Sequence, residues 1–462
     1  MPSVHQYTLA FGGDAFQVFH AFKDQPQAFF LDSSLHNSRS RFSYLGFAPF
    51  ATVRNGGLSG FKKTFDKYRL RPQSLTFPAG AVGYLGYDGS IYFGLYDTIL
   101  AIDHQKNKLI VSSFSKGRIK DISKKLSVLS GGRGRENEGS LIFCPSARRL
   151  ICPGSSYRTV AAAKQSNRDI WSGPDNPAII DHLKFKSNFT KAGYMQAVRQ
   201  ALGHIRRGDI YQINLSHQIK LQLANWRKYA EPSDIYRNLR QAFPSEFGAY
   251  LDDGKQVILS ASPERFLKLH KGIAQVKPMK GTRPRGKNKA QDMKFKEQLE
   301  KSPKEIAELL MVTDLERNDL GRVCDYSSVK VQQMRAIEAY LTVFQATSTI
   351  EGRLRRGCDQ FDLLQAAFPS GSVTGCPKIE AMKIIKKLER VSRGLYTGAM
   401  GYMSFSGDMD LNVMIRTMFL KKNGITFHVG GGIVADSRPQ DEWQETLLKA
   451  RPLIDTLNKT FL

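Results

Sequence analysis

Short apolar runs separated by glycine-rich turns occupy the first 115 residues: Ala28 to Asp32, Phe42 to Phe47, and Ala81 to Tyr87. That texture predicts the strands of a sheet-rich region. Leu31-Asp32-Ser33-Ser34 and Arg39-Ser40-Arg41-Phe42-Ser43 are polar where a strand should be apolar, and read as a hydrogen-bonded turn or as a small-ligand site. Over 116–182, Ser130-Gly131-Gly132-Arg133-Gly134-Arg135 and Pro153-Gly154-Ser155-Ser156 surround one apolar run at Leu141 to Cys144. This predicts a loop-rich connector.

The pattern sharpens over 183–460, the third region. Thr190 caps a predicted helix whose apolar positions Tyr194, Val198 and Ile205 follow a helical period and which ends at Gly208. A strand follows at Asp209 to Ser216, where alternation puts Gln212 and Asn214 on the face opposite Ile213 and Leu215. A longer strand-like run covers Gln256 to Leu269 and carries Glu264 at a turn-like Ser262-Pro263-Glu264-Arg265, where the carboxylate serves either function or an ion pair with Arg265. Ser302-Pro303-Lys304-Glu305 is a capping-box signature opening a helix through about Thr313, with Ile306, Leu309 and Leu310 as its apolar stripe. Glu308 lies on the other side, toward solvent or toward a cleft that wants a charge. Phe368 to Ile379 forms a small-residue turn that opens a helix at Pro377, a backbone arrangement suited to an anion. Finally, Gly430-Gly431-Gly432 leads into a helix on which Glu442, Glu445 and Lys449 share one face. They read as a surface ion-pair ladder or as a hard-cation site beside an anion clamp.

Between these elements lies Val276-Lys277-Pro278-Met279-Lys280-Gly281-Thr282-Arg283-Pro284-Arg285-Gly286, a basic loop stiffened by two prolines and bent by glycines. Arg283 and Arg285 close to Lys280 predict a depressed amine pKa through like charge, and a free amine is a nucleophile. A solvated basic loop is the alternative.

Composition changes the picture in one respect. The chain of 462 residues carries 68 Lys and Arg against 42 Asp and Glu, a formal charge of +26, which raises nucleic-acid binding as a function. The charge is spread along the whole chain, however, and no helix-turn-helix, zinc-finger or aromatic RNA-binding pattern accompanies it. Nucleic-acid recognition is therefore not expected. Five scattered cysteines without a Cys-x-x-Cys pair predict neither a disulfide framework nor a zinc site. No apolar run of eighteen residues and no export signal occur, so a soluble cytoplasmic protein without a membrane role is expected.

The ordered blocks SNFTKAGY, GDIYQINLS, SASPERF, PMKGTRPRG, DLERNDLGRV, FPSGSVTGCPKIEAM, GAMGYMSFSGDMDLNVMIRT and GGGIVADSRPQDEWQET resemble the chorismate-utilising enzymes, in particular the aminodeoxychorismate synthase component I branch. The likeness covers essentially all of 185–455, and the N-terminal region resembles the family's first domain less densely. It implies an α+β fold of two large, mainly antiparallel sheets forming a sandwich with helices outside and a chorismate site in the central cleft. It also implies Mg²⁺ on Glu308 and Glu445 with Glu442 assisting, and Glu264 as general acid/base. Ser372, Tyr396, Arg416, Gly432, Lys449 and Thr282 would hold the substrate.

Within the family, Gln212 stands where water-adding members carry a base lysine, and Lys280 stands where anthranilate-forming members carry alanine. Together these imply amination of chorismate at C4 through a Lys280 adduct, with ammonia from a separate glutamine amidotransferase subunit. Anthranilate formation is the nearest alternative; a retired, anion-binding relative is the alternative from another class. Gln345 departs from the family histidine and bears on proton handling. Ser33, Arg41 and Ser43 resemble the region where relatives bind tryptophan.

Overall fold

The computed structural model describes residues 2–35, 41–54, 56–129, 140–141, 179–180, 183–340 and 343–461. Arg39, Ser40, both glycine-rich signals of the connector and residues 142–144 lie outside them. The described start of the connector is not a loop: Lys116–Leu129 is a helix, in which Ile122 and Leu126 are buried against the sheet.

Two large sheets, of fourteen and ten strands, make the fold. Each runs without interruption through both the N-terminal and the C-terminal regions. In the larger sheet Phe29–Asp32 pairs with Phe247–Asp252, and in the smaller Gly80–Leu85 pairs with Ala399–Ser404. Pairing among these strands is antiparallel, with one parallel contact between His5–Phe11 and Ser140–Leu141.

Alternation along the strands sorts their side chains into layers. In Val257–Ser262, Val257, Leu259 and Ala261 face the outer helices, while Ile258 enters the layer between the sheets with Phe29, Tyr44, Tyr84, Tyr402 and Phe419. Two-sided burial explains why these strands are apolar at nearly every position. The inner layer is strongly aromatic: Phe77 stacks on Tyr402 with centroids 4.5 Å apart, and Phe29 meets Tyr96 edge-on at 4.7 Å. Each fully buried ring contributes roughly 1.5–3 kcal/mol of apolar transfer. Helices Lys191–Arg206 and Lys378–Leu388 cover the far side of the larger sheet, together with the start of helix Pro439–Phe461 through Trp443. Thr190 caps the first of these as expected, its Oγ1 accepting from Gly193 N at 3.1 Å.

Three elements differ from their sequence reading. The run Gln256 to Leu269 is two strands in different sheets, Val257–Ser262 in the larger and Arg265–His270 in the smaller. The chain crosses between them at Pro263 and Glu264. The helix expected to end near Thr313 continues as Pro303–Gly321. Ser302 makes no side-chain capping bond there, so the capping box does not form. Its buried face is Leu309, Val312, Thr313, Glu316, Asp319 and Leu320, whereas Ile306 and Leu310 are exposed. Acids at stripe positions hid that face from an apolar count. Lastly, Met279–Pro284 is a strand rather than a loop. It is bulged between Lys280 and Thr282 against Val343–Arg353, with Gly281 at φ +79° supplying the left-handed residue that the bulge requires.

One buried ion pair ties the layers around the cleft. Arg393 pairs with Glu389 at 2.7 Å and donates to the carbonyls of Asn214 at 2.7 Å and Val373 at 2.8 Å. Glu389 in turn accepts from Ser216 N and Oγ. Removing one partner of a buried pair leaves an uncompensated charge. Arg393→Met is therefore expected to cost about 3–5 kcal/mol in denaturant unfolding, and a loss within the scatter of surface variants would contradict this role.

Candidate active site

The glycine-rich strand Gly424–Ile433 lies beside Gln212–Leu221 with Asn214 opposite Gly432 and Leu215 opposite Gly431. Its glycines are cradles for side chains from other elements. A Cβ at Gly432 would lie 3.0 Å from Gln212 Nε2 and 3.4 Å from Lys280 Nζ, and one at Gly431 would lie 3.1 Å from Glu442 Oε2 and 3.5 Å from Glu445 Oε1. Any larger residue here would press on the amide, the amine and the two carboxylates.

Lys280 reaches this floor from the opposite sheet and donates to Ser372 O at 3.2 Å. Burial lowers its pKa, opposed by Glu308 and Glu264 and helped by Lys449. The expected cause is thereby corrected. Arg283 is bound to Glu305 at 2.8 Å and Arg285 to Asp292 at 2.7 Å; both charges are neutralised locally, and desolvation lowers the amine instead.

Glu264, at the crossing between sheets, is 4% exposed. Burial pushes its carboxyl up to about 7, against a hydrogen bond from Ser372 and the charge of Lys280. The alternative of an ion pair with Arg265 does not form, since Arg265 is bound to Asp410 at 2.9 Å. Ser372, expected to contact substrate, has its hydroxyl turned to Glu264 and, at 3.0 Å, to Ser370 Oγ.

Glu308 faces the cleft and not solvent, with 14% of its side chain exposed. Its pKa is raised by burial, and Glu305 and Glu445 add to the rise while Lys280 and Lys304 oppose it. Glu442 is buried and raised for the same first reason, although Ser437 donates to its Oε1 at 2.6 Å. Glu445 is also pushed up by burial, but Lys449 at 2.7 Å outweighs this and holds it below the usual range. Lys449 also donates to Gly430 O at 2.9 Å. The ion pair of this helix is present between Glu445 and Lys449, which are half exposed, while Glu442 is buried.

The structure thus brings Lys280, Glu264, Gln212, Ser372, Gly432, Glu308, Glu442, Glu445 and Lys449 to one cleft. For Tyr396, Arg416, Thr282 and Gln345 the contacts are with other residues. Tyr396 stacks on His428 with centroids 4.9 Å apart, and Arg416, at φ +49°, lies 5.3 Å over Phe243. Among the described residues Arg416 has no ion pair, and burial lowers its pKa. Thr282 and Gln345 are bonded to each other, Gln345 Nε2 to Thr282 Oγ1 at 3.5 Å.

Glu316 escaped the sequence reading, in which Glu305 stood only as a capping residue and Ser370 only as part of a turn. Glu316 is 2% exposed, accepts from Ser370 Oγ and Gly371 N at 2.9 Å each, and is pushed up to about 7 by burial. Its signal was available, because an acid three and four residues beyond Thr313 and Val312 continues a stripe that is otherwise apolar.

Against this geometry, a family model described as chorismate binding enzyme matches residues 27–455. The chain belongs to the chorismate-binding enzymes. This chorismate-binding enzyme is 33% identical over 446 residues to anthranilate synthase component 1 of Thermus thermophilus, covering 93% of this chain and 92% of that protein. It is 32% identical over 450 residues to the chloroplastic aminodeoxychorismate synthase of Arabidopsis thaliana, covering 91% of this chain and spanning 44% of that protein. Among solved structures, anthranilate synthase component I from Streptococcus pneumoniae superposes with a TM-score of 0.70 at 29% identity, over 89% of this chain and 92% of that one. The two-sheet α+β fold is shared. No helix of the described residues is long and apolar enough to cross a membrane.

The raised carboxyl of Glu264 has a consequence for stability. Its pKa rises from 4.5 unfolded to about 7 folded, so the folded state holds the proton more tightly. The resulting stabilisation is complete below pH about 4.5 and is lost as pH climbs through about 7. Glu264→Gln removes the penalty of a buried charge, so thermal melts should give a higher Tm than wild type at pH about 8 and little difference at pH about 4. A Tm difference that does not change with pH would contradict the assignment.

Proposed function

We propose that this chorismate-binding enzyme aminates chorismate at C4, giving 4-amino-4-deoxychorismate, the precursor of 4-aminobenzoate. The observation that carries the reading is the desolvated amine of Lys280 beside the neutral amide of Gln212 over Gly432. An amide does not deprotonate water at neutral pH, which disfavours hydration; a free amine attacks carbon. The Lys280 nitrogen forms a bond to ring C2 while Glu264, carrying its proton, protonates the departing C4 hydroxyl. Ammonia then adds at C4 and the lysine leaves as the amine. The ammonia comes from a separate glutamine amidotransferase subunit.

Mg²⁺ suits the acidic side of the cleft. Among the described residues no group of three His, Cys, Asp or Glu side chains is arranged to hold a metal ion, but Mg²⁺ takes one or two protein carboxylates and completes its shell with water and substrate oxygens. Glu442 Oε2 is buried without a hydrogen-bond partner, Gly431 leaves room beside it, and mutual repulsion among Glu308, Glu442 and Glu445 favours a cation. Glu308 and Glu445 would hold the ion with Glu442 assisting, and it would neutralise the substrate's ring carboxylate. Arg416, without a carboxylate partner, Tyr396 and Lys449 are assigned to the substrate's anionic groups.

Anthranilate formation is the second reading. It is favoured by the Thermus relative, whose match extends along nearly all of both chains. Incubation of the purified chain with chorismate, Mg²⁺ and ammonium, with the product identified by mass and ultraviolet spectrum, decides between them. The 4-amino product is expected, and Lys280→Ala should reduce its formation by about a hundredfold or more. Full 4-amination by that variant would refute the covalent role, and anthranilate from the wild type would refute the reading.

A tryptophan site is proposed separately. Ser33 and Arg41 line a cavity of about 280 Å³ between the sheets, with Phe42, Tyr44, Phe247 and Tyr402 among its walls. Ser43, named with them from the sequence, is not among the residues that line this cavity. It is fully buried behind, where its Oγ accepts from Ser33 N at 3.0 Å and meets His104 Nε2 at 2.8 Å. Arg41 is bound to Asp103 at 2.8 Å. Tryptophan at about 100 times its Kd should stabilise the chain by about 2.7 kcal/mol, read as a raised Tm. Unchanged melting and unchanged turnover at millimolar tryptophan would count against the site.

A further inference from the structure

Behind the proposed acid/base lies a second buried carboxylate to which the mechanism above gives no task. Glu316 projects from helix Pro303–Gly321 toward the turn Gly371–Val373. Its Oε1 accepts from Ser370 Oγ and Gly371 N, each at 2.9 Å. Its Oε2 is buried with no hydrogen-bond partner. Ser370 Oγ lies 3.0 Å from Ser372 Oγ, and the Ser372 hydroxyl bonds the Glu264 carboxyl. Two carboxyls are thus joined through two hydroxyls, with nothing else in series.

Counting protons along this chain decides its occupancy. Each serine has one hydroxyl proton. With both glutamates ionised, each hydroxyl gives its proton to its own carboxylate, and the Ser370 to Ser372 contact then has two oxygens and no hydrogen between them. With one added proton every contact is filled. Glu264 carrying it donates to Ser372, Ser372 to Ser370 and Ser370 to Glu316; with Glu316 carrying it, the same bonds run in reverse. Filling all three contacts at once therefore requires at least one added proton, and one suffices.

We propose that Glu264 and Glu316 share one proton through Ser372 and Ser370, so that Glu316 holds the proton when Glu264 does not and delivers it to Glu264 for cleavage of the C4–O bond. The inference rests on the reading of Glu264 as acid/base. As the C4–O bond breaks, Glu264 gives its proton to the departing hydroxyl, which leaves as water. When the shared proton sits on Glu316 it first reaches Glu264 by the relay, Glu316 giving it to Ser370, Ser370 passing its own to Ser372 and Ser372 its own to Glu264; once Glu264 has given it up, both carboxyls are ionised. When ammonia has added at C4, the excess proton of the new ammonium returns to Glu264 and the chain runs backward to Glu316. No proton has to enter from solvent between the two steps. The charge environment agrees: Glu264 faces Lys280 on strand Met279–Pro284 and Glu316 on the helix, while Glu316 faces Lys378 of helix Lys378–Leu388 and Asp319 of its own helix. Burial places both carboxyls at about 7, where sharing costs least.

The test uses the full chain with chorismate, Mg²⁺ and ammonium, comparing wild type with Glu316→Gln, Ser370→Ala and Glu264→Gln. Glutamine at 316 keeps an oxygen to accept from Gly371 N and Ser370, so a merely structural role survives it. Glu316→Gln and Ser370→Ala should each lower kcat about tenfold or more with KM for chorismate changed by less than about twofold. In Glu316→Gln the alkaline limb of the kcat profile should also move to lower pH, because the neighbouring negative charge that helps Glu264 keep its proton is gone. Wild-type kcat and pH profile in Glu316→Gln would overturn the proposal, and if that variant does not fold, wild-type behaviour of Ser370→Ala would do so. Should Glu264→Gln itself retain wild-type turnover, the acid/base reading fails as well. A dead Glu264→Gln beside an unaltered Glu316→Gln fails the shared proton alone.

Discussion

Space above two glycines is the constraint on which the cleft depends. Gly431 and Gly432 lie on a central strand of the larger sheet, and the volume that side chains there would fill is taken by Gln212, Lys280, Glu442 and Glu445. Those four residues come from three elements besides the glycine strand, and the two sheets meet through them. Lys280 is brought over the floor by a bulged strand of the smaller sheet, and its amine is stripped of water by the same closure that lets the sheets pack. The acidic helix Pro303–Gly321 closes the remaining side with Glu308 and, deeper, Glu316. Chemistry and architecture are therefore coupled: the sandwich that buries the aromatic inner layer also sets the dielectric in which one amine and several carboxyls titrate.

Charge in the cleft is divided rather than averaged. Glu264 and Glu316 are raised to about 7 because burial outweighs the opposing charges of Lys280 and Lys378, while Glu445, paired with Lys449 near the rim, is held low. Carboxyls of one chemical type are thereby split into two kinds, readily protonated inside and held as anions outside. The buried Arg393–Glu389 pair stabilises the boundary, since it grips both the strand that carries Gln212 and the turn that carries Ser372.

Much of this was legible in the sequence where the signal is local. Alternation placed Gln212 opposite Ile213, and Glu442, Glu445 and Lys449 shared a helix face as their spacing required. What the sequence could not show was the neighbourhood that tertiary structure creates. Arg283 and Arg285 stand next to Lys280 in the chain, yet pair with Glu305 and Asp292, because a strand separates neighbours that a loop would cluster. Glu264 reads as an exposed turn residue beside an arginine, and only the change of sheets at Pro263 buries it. Glu316 went unread because a helix face interrupted by acids is discounted as solvent-facing, although here that face is buried. The family likeness supplied roles; the structure supplied the reasons, and in the case of the Lys280 amine a different reason.

The account rests on burial, not neighbouring arginines, as the cause of a weakened ammonium at Lys280. Its most direct test is a titration of the Lys280 side chain by nuclear magnetic resonance in selectively labelled protein, assigned by comparison with Lys280→Arg. A pKa below the ordinary 10.5, unchanged when Arg283 and Arg285 are replaced by glutamine, is the result expected; a value at or above 10.5, or one restored to it by removing those arginines, would contradict the account.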